Sequence, residues 1–395
     1  MMNNWNETLS ALAQRGPATT PTASIADAMA TAATAVTGSA GAMALAGAGD
    51  APATYPDLGA ALTTAQLADG FVAPVGNLGL IAVTGADGAT FLHGQLTNDV
   101  LNLPAGAVRL AGYCTPKGRL QATMTMWRGS VAGADDGTAE PGAIYLQLPL
   151  ELQPAFQKRL SMFVMRAKAK LVDAAHDPRN AVVLGVGGAR AGAALLQHVA
   201  SVPPAAYSVV EHANGTVLRL ADAFGAPRYL WLTSTDAALA ALPALQGTLA
   251  LGGTDAWELS GIHAGIAQVT GATFEQFVPQ MINLELVGGV NFKKGCYPGQ
   301  EIVARSQYLG KLKRRTALAT IADPAASAGQ ELFSEDDPGQ PCGMVVNAAP
   351  NGAGGVDALV EIKLAALDQM VHLGSATGAQ VAFLPMPYAL DALDL

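Results

Sequence analysis

Cys296 follows Lys294 by two residues and precedes Pro298 by two, in the stretch Phe292-Lys293-Lys294-Gly295-Cys296-Tyr297-Pro298-Gly299-Gln300-Glu301. Read locally, this is a tight turn feeding a helix. Gly295 allows a sharp turn or a close approach to a ligand. Pro298 suits a first helical turn, where its missing N–H is no loss. Glu301 then complements the helix dipole, and Arg305, four residues on, pairs with it on one face. A cysteine between a lysine and a helix N-terminus has two reasons to ionise, so Cys296 and Lys294 are the candidates for thiol chemistry. A structural cysteine buried beside a helix cap reads equally well.

Other side chains suit binding. Lys293, Lys294, Arg305, Lys311, Lys313, Arg314 and Arg315 crowd a short window in a chain of net charge −9. Such a window suits glutamates, phosphate or an acidic partner, and a solvated charged face would look the same. Trp257 and Cys114 read as packing. Of the six histidines none has paired ligand spacing, and His93 and His263 read first as core or surface residues. The three cysteines, Cys114, Cys296 and Cys342, lie far apart, so no zinc or self-contained Fe–S site is indicated and no metal is expected.

The chain of 395 residues is long enough for two or three domains. Half of it is hydrophobic and only 13% is charged, so a large core is possible. The acidic balance argues against wholesale nucleic-acid coating and leaves room for a local basic patch. A sparse, odd cysteine count fits a reducing compartment, and a cytoplasmic location is expected. No apolar run reaches transmembrane length.

Residues 1–70 read as an Ala/Thr/Gly/Pro-rich tail, expected to be disordered, with a weak helix at Ser24 to Ala48 as the alternative. Order is expected from Phe71. Leu78 to Val83 reads as a strand, and Asp87 as the N-cap of a helix bearing Phe91, Leu92 and Gln95. Val108 to Thr115 and Leu120 to Trp127 form a hairpin around Pro116-Lys117-Gly118-Arg119. Further helices are expected at Glu151 to Met165, Ala189 to Val199, Thr235 to Leu245 and Ala256 to Val269. Strands fall at Val182 to Gly185, Tyr207 to Val210 and Arg228 to Leu232, with a turn over Gly185 to Ala189. After Leu312 the pattern is all β, at Thr316 to Ile321, Met344 to Asn347, Ala358 to Ile362 and Gln380 to Phe383, which suits a small barrel. The mixture is α+β, not a doubly wound sheet.

The run Lys294-Gly295-Cys296-Tyr297-Pro298-Gly299-Gln300-Glu301 resembles the K-G-C-Y-x-G-Q-E signature of YgfZ-type folate-binding proteins, relatives of the glycine-cleavage T-protein. Phe91 to Val100 resembles the family's G-Q-x-T-x-D-V segment, and Lys117-Gly118-Arg119 its hairpin turn. The resemblance implies a T-protein-like fold: two interleaved ferredoxin-like α+β units over 71–312, then a C-terminal β-barrel over 313–395. It implies tetrahydrofolate or a derivative as cofactor. Folate-binding positions would be Trp257, Lys117, Lys294, Gly295, Tyr297, Gly299, Gln300, Glu301 and Arg305, with Asn283, Glu285, Gln95, Asn98 and Asp99 as pterin acceptors. Leu78 stands where the family has a second folate-facing tryptophan. The implied role is accessory: Fe–S cluster assembly or repair, with Fe–S proteins as partners, an indirect link to tRNA thiomodification and no membrane. The rivals are a folate-dependent one-carbon transferase and a folate-regulated adaptor. The transferase lacks an obvious agent, because Gly118-Arg119-Leu120-Gln121 has no acid where aminomethyltransferases carry an Asp pair.

Overall fold

The structure, a computed structural model, describes residues 2–13, 58, 61–130, 142–175, 177–310 and 312–390. In chain order the first strands are β1 (Phe71–Pro74), β2 (Leu78–Thr84), β3 (Val108–Cys114), β4 (Leu120–Gly129), β5 (Ala143–Pro149) and β6 (Lys170–Asp173). There follow β7 (Val182–Gly187), β8 (Ser208–His212), β9 (Gly215–Ala223), β10 (Ala226–Thr233) and β11 (Ala250–Leu251). They build a 6-stranded sheet, β11-β1-β7-β10-β9-β8, and a 5-stranded sheet, β3-β4-β5-β2-β6. The chain starts the larger sheet at β1, makes the whole of the smaller one, and returns, so the two α+β units interleave. The remaining strands, β12 (Arg314–Ile321), β13 (Glu331–Ser334), β14 (Pro341–Pro350), β15 (Val356–Lys363), β16 (Val371–Leu373) and β17 (Gln380–Leu384), close a barrel.

Local chemistry explains the turns. The β3–β4 hairpin closes with Thr115 N–H donating to Arg119 O and Gly118 N–H to Thr115 O. Gly118 takes φ 72 there, a left-handed conformation that suits glycine. Between Val182 and Gly187 the strand runs on past Gly185, where a turn was expected. Two of its glycines are there to admit rings: a Cβ on Gly185 would lie 2.8 Å from Trp257 Cδ2, and one on Gly187 2.8 Å from Phe71 Cζ. The helix expected from Ala256 to Val269 spans Thr254–His263 instead, and Gly265, at φ 69, turns the chain away beyond it.

The expectation of a disordered tail over residues 1–70 fails at both ends. Met2–Ala13 is a helix, α1, with Trp5 and Leu9 buried. They join a core with Ala191, Leu195, Ala238 and Leu242, on the outer face of the larger sheet. Thr64–Asp69 is a second helix with a capping box between Thr63 and Gln66, and its Leu67 is fully buried. The alternative helix at Ser24 to Ala48 lies outside the described residues. The main core runs continuously through both sheets and the barrel wall, from Phe71 and Trp127 to Trp257 and Leu359. No helix among the described residues is long and apolar enough to cross a membrane.

Candidate functional site

The two sheets and the barrel meet around a cavity of about 360 Å³. Asn77, Leu78, Thr125 and Gln147 face it from the smaller sheet, and Tyr207, Leu220 and Arg228 from the larger. Trp257, Glu258 and Ile262 come from the helix Thr254–His263, and Asn347 from the barrel. Trp257 lies on Gly185 of β7 and is 6% exposed. The Arg228 guanidinium sits 4.2 Å from the centre of its ring. Arg228 Nε donates to Ser260 Oγ at 2.8 Å, and that hydroxyl donates to Trp257 O at 2.7 Å. Cation, indole and helix backbone are thus one linked unit. Burial pulls the Arg228 guanidinium down to about 10.

Two acids line the cavity, Glu151 and Glu258, and Glu258 is the one beside Trp257. Burial raises its carboxyl to about 7, against a hydrogen bond of 2.6 Å donated by Asn77 Nδ2. The other amide atom of Asn77, Oδ1, is buried with no partner among the described residues. Tyr207 holds a left-handed backbone, φ 61, with its N–H given to Arg219 O and its C=O accepting from Val108 N–H. That bend carries the larger sheet across to the edge of the smaller one. Polar contacts hold the barrel to the cavity helix and to the segment that follows it. His263 Nε2 lies 2.6 Å from Asp357 Oδ2 of β15, and Gln268 and Asn347 exchange two hydrogen bonds.

The signature stretch lies elsewhere. Its helix begins at Gln300, with Gly299 at the N-cap in a left-handed conformation, φ 83. The glycine is needed because a Cβ would meet Gly118 Cα at 2.8 Å, so the stretch is seated on the β3–β4 turn. Cys296 is therefore well ahead of the helix and gains little from its dipole, which fades within a turn. It is exposed, whereas Cys114 and Cys342 are buried. Lys294 turns inward. Its Nζ donates to His93 O at 2.5 Å and Leu96 O at 2.8 Å and stands 4.7 Å from the centre of the Tyr297 ring. Burial lowers its ammonium to about 8, against the charges of Asp99 and Cys296. Burial likewise pushes the Tyr297 phenol up, and its hydroxyl finds no partner among the described residues. His93 Nδ1 is 3.2 Å from Asp99 Oδ1. Burial and the Lys294 charge keep that imidazole below its ordinary pKa. Burial raises the Asp99 carboxyl, but hydrogen bonds from Asn102 outweigh it and hold the group low.

Of the folate-binding positions expected from sequence, Trp257 lines the cavity and the others do not. Asn283 is buried in a left-handed C-cap, its amide given to Thr316 O at 2.8 Å. Glu285 is ion-paired with Arg315 inside the protein. Asn98 donates to Leu110 O and Gly288 O, holding a loop against β3. Gln95, Gln300 and Gly299 are partly exposed, and Lys117, Gly295, Glu301 and Arg305 are exposed. The expected pairing of Glu301 with Arg305 is absent among the described ion pairs. The basic window is split the same way, since Lys294, Arg314 and Arg315 spend their charge inward. Sequence reasoning missed Asn77, Glu258, Arg228 and Tyr207. Only Glu258, adjacent to Trp257 in sequence, carried a local signal.

Two interleaved α+β units and a barrel set around one cavity define the T-protein-like class. The aminomethyltransferase T of the glycine cleavage system from Bartonella henselae superimposes with a TM-score of 0.64, over 82% of this chain and 87% of that one, at 17% sequence identity. No family model matches the chain. The tRNA-modifying protein YgfZ of Sodalis glossinidius (strain morsitans) is 33% identical over 315 residues, 79% of this chain and 90% of the relative. Its counterpart in Klebsiella pneumoniae (strain 342) is 35% identical over 256 residues, 64% and 72% of the two chains. The chain belongs to the YgfZ family.

Proposed function

We propose that the central cavity takes a reduced folate and that the protein serves tRNA modification through Fe–S enzymes. The observation that carries the folate reading is the Trp257, Arg228, Glu258 and Asn77 group in one cavity. A pterin needs an aromatic partner and acceptors for its ring donors, and the cavity wall holds the Trp257 indole, capped by the Arg228 guanidinium, with the Glu258 carboxyl and the Asn77 amide beside it. Arg228 and the amide of Gln147 would meet carbonyl or carboxylate oxygens. Bound folate would supply a one-carbon carrier. The protein's own residues orient it, exclude water and hold a proton at Glu258. The link to tRNA modification rests on the names of the relatives. The Fe–S step rests on the family signature alone.

The elevated Glu258 carboxyl favours a second reading. A carboxyl titrating near neutrality in the cavity is a proton donor or acceptor of the kind a one-carbon transferase needs, even though the β3–β4 turn lacks an acid pair. Incubation with methylenetetrahydrofolate and acceptor tRNA separates the two, because only the transferase turns over. The accessory reading is tested by complementation of a strain lacking the protein, scored by thiolated nucleosides in bulk tRNA. Wild type is expected to restore them and Trp257→Ala to fail while remaining folded. Equal rescue by both would remove the folate cavity from the function.

A further inference from the structure

We infer that the exposed face around the signature helix is a docking surface for single-stranded RNA. The inference rests on the tRNA-modification reading and gives that reading a direct contact. The helix Gln300–Tyr308 buries Val303 and turns Ile302, Arg305, Tyr308 and its C-terminal neighbour Leu309 outward. Tyr308 is 69% exposed and Leu309 83%, on a helix whose ordinary solvent face would be polar. Phe292 meets Tyr308 with ring centres 5.7 Å apart and planes at 69°. It therefore braces the tyrosine edge to face, without stacking flat on it.

Beside this pair runs a shallow groove of about 420 Å³, lined by Asn98, Arg109, Val290, Phe292, Lys293 and Tyr308. Arg109 is fixed in it by hydrogen bonds from its guanidinium to Asp99 O and Asn102 O. Lys293 and Arg305 are exposed, and among the described ion pairs neither is joined to a carboxylate. Lys117 is exposed on the hairpin tip, which touches the start of the helix where a Cβ on Gly118 would lie 3.1 Å from Ile302 Cβ. The chain as a whole carries −9, so a polyanion has nothing to gain from most of its surface. Here cations flank an open aromatic ring. That pairing fits a nucleic-acid strand, whose phosphates take the charges and whose bases stack. An acidic protein segment would use the cations and leave the ring idle.

The test is fluorescence anisotropy of a labelled tRNA anticodon stem–loop titrated with the full chain at low and near-physiological salt. Saturable binding is expected. The double variant Lys293→Glu with Arg305→Glu should weaken it at least about tenfold and flatten the salt dependence, since each lost phosphate contact removes roughly 0.7 from the log–log slope. Tyr308→Ala should weaken binding about tenfold and leave the slope intact. Lys158→Glu, exposed on the helix Gln153–Met162 and outside the groove's lining, is the control and should bind as wild type. Equal affinity of wild type and the double variant, both folded by melting temperature, would overturn the inference. So would displacement of the RNA by poly-glutamate at matched charge, which would mark an acidic protein partner. Thiolated tRNA in a complemented deletion strain distinguishes the two levels. Restored thiolation with no RNA binding sinks this surface and leaves the tRNA reading standing. RNA binding by this face without restored thiolation supports the surface and sinks that reading.

Discussion

Gly185 lies directly beneath Trp257. A Cβ at residue 185 would stand 2.8 Å from Trp257 Cδ2, closer than side-chain carbons approach. The glycine in the middle of β7 is therefore part of the cavity, since it sets the depth at which the indole lies. Gly185→Ala should push the ring toward the cavity, costing roughly 1–3 kcal/mol in stability through overpacking. Folate affinity should fall by more than tenfold. Thermal melting and a folate titration on the same preparation check both. An unchanged affinity in a destabilised variant would mean that the indole position is irrelevant to the ligand.

Glu258 should make stability depend on pH. Burial raises its carboxyl from 4.5 to about 7 in the folded protein. The folded state then holds the proton more tightly than the unfolded state. Its contribution is full below about 4.5 and is lost as pH rises through about 7. The lost amount is on the order of 3 kcal/mol, from the size of that shift. Glu258→Gln should flatten this component of the melting temperature between mildly acidic and mildly alkaline pH, and should be the more stable protein at the alkaline end. Parallel pH dependence in the two proteins would rule out Glu258 as its source.

The first helix should matter to stability. Trp5 is 6% exposed and Leu9 1%, both against the helices Ala191–Leu195 and Thr235–Thr248. Trp5→Ala should cost about 3–5 kcal/mol, the usual range for deleting a buried large aromatic. Removing residues 1–13 should lower the melting temperature clearly and expose apolar surface to a hydrophobic dye. A truncated protein that melts with wild type would show that this helix adds nothing.

The three thiols should label in a fixed order. Cys296 is exposed, burial lifts Cys114 to about 12, and burial also raises Cys342. Iodoacetamide at neutral pH should modify Cys296 first, with the other two reacting only on unfolding. Mass spectrometry of timed digests gives the order, and early labelling of Cys114 would contradict the burial described for β3.

The hairpin at Lys117-Gly118, the barrel and the signature turn were legible because each is written in neighbouring residues. Trp257 was named through its resemblance to a family position, and it lines the cavity. The cavity itself was not legible. Asn77 and Glu258 are 181 residues apart, and only the return of the chain from the smaller sheet to the larger brings them to 2.6 Å. Asn283 and Glu285 read as pterin acceptors for the opposite reason: the Asn283 amide is given to Thr316 and the Glu285 carboxylate is paired with Arg315, partners that spacing does not reveal. The barrel strands Glu331–Ser334 and Val371–Leu373 are too short to show a period. The Met2–Ala13 helix had a signal, Trp5, Leu9 and Leu12 on one face, that low-complexity sequence further on obscured.

Calorimetric titration of tetrahydrofolate into wild type, Trp257→Ala and Arg305→Ala tests the central claim most directly. One site is expected in wild type. Trp257→Ala should lose about tenfold or more in affinity, in keeping with a lost ring contact of on the order of 1 kcal/mol plus the area that ring buries. Arg305→Ala, in the signature stretch and away from the cavity, should bind as wild type does. Unchanged affinity in a folded Trp257→Ala together with loss in Arg305→Ala would place the folate at the signature helix and contradict the cavity assignment.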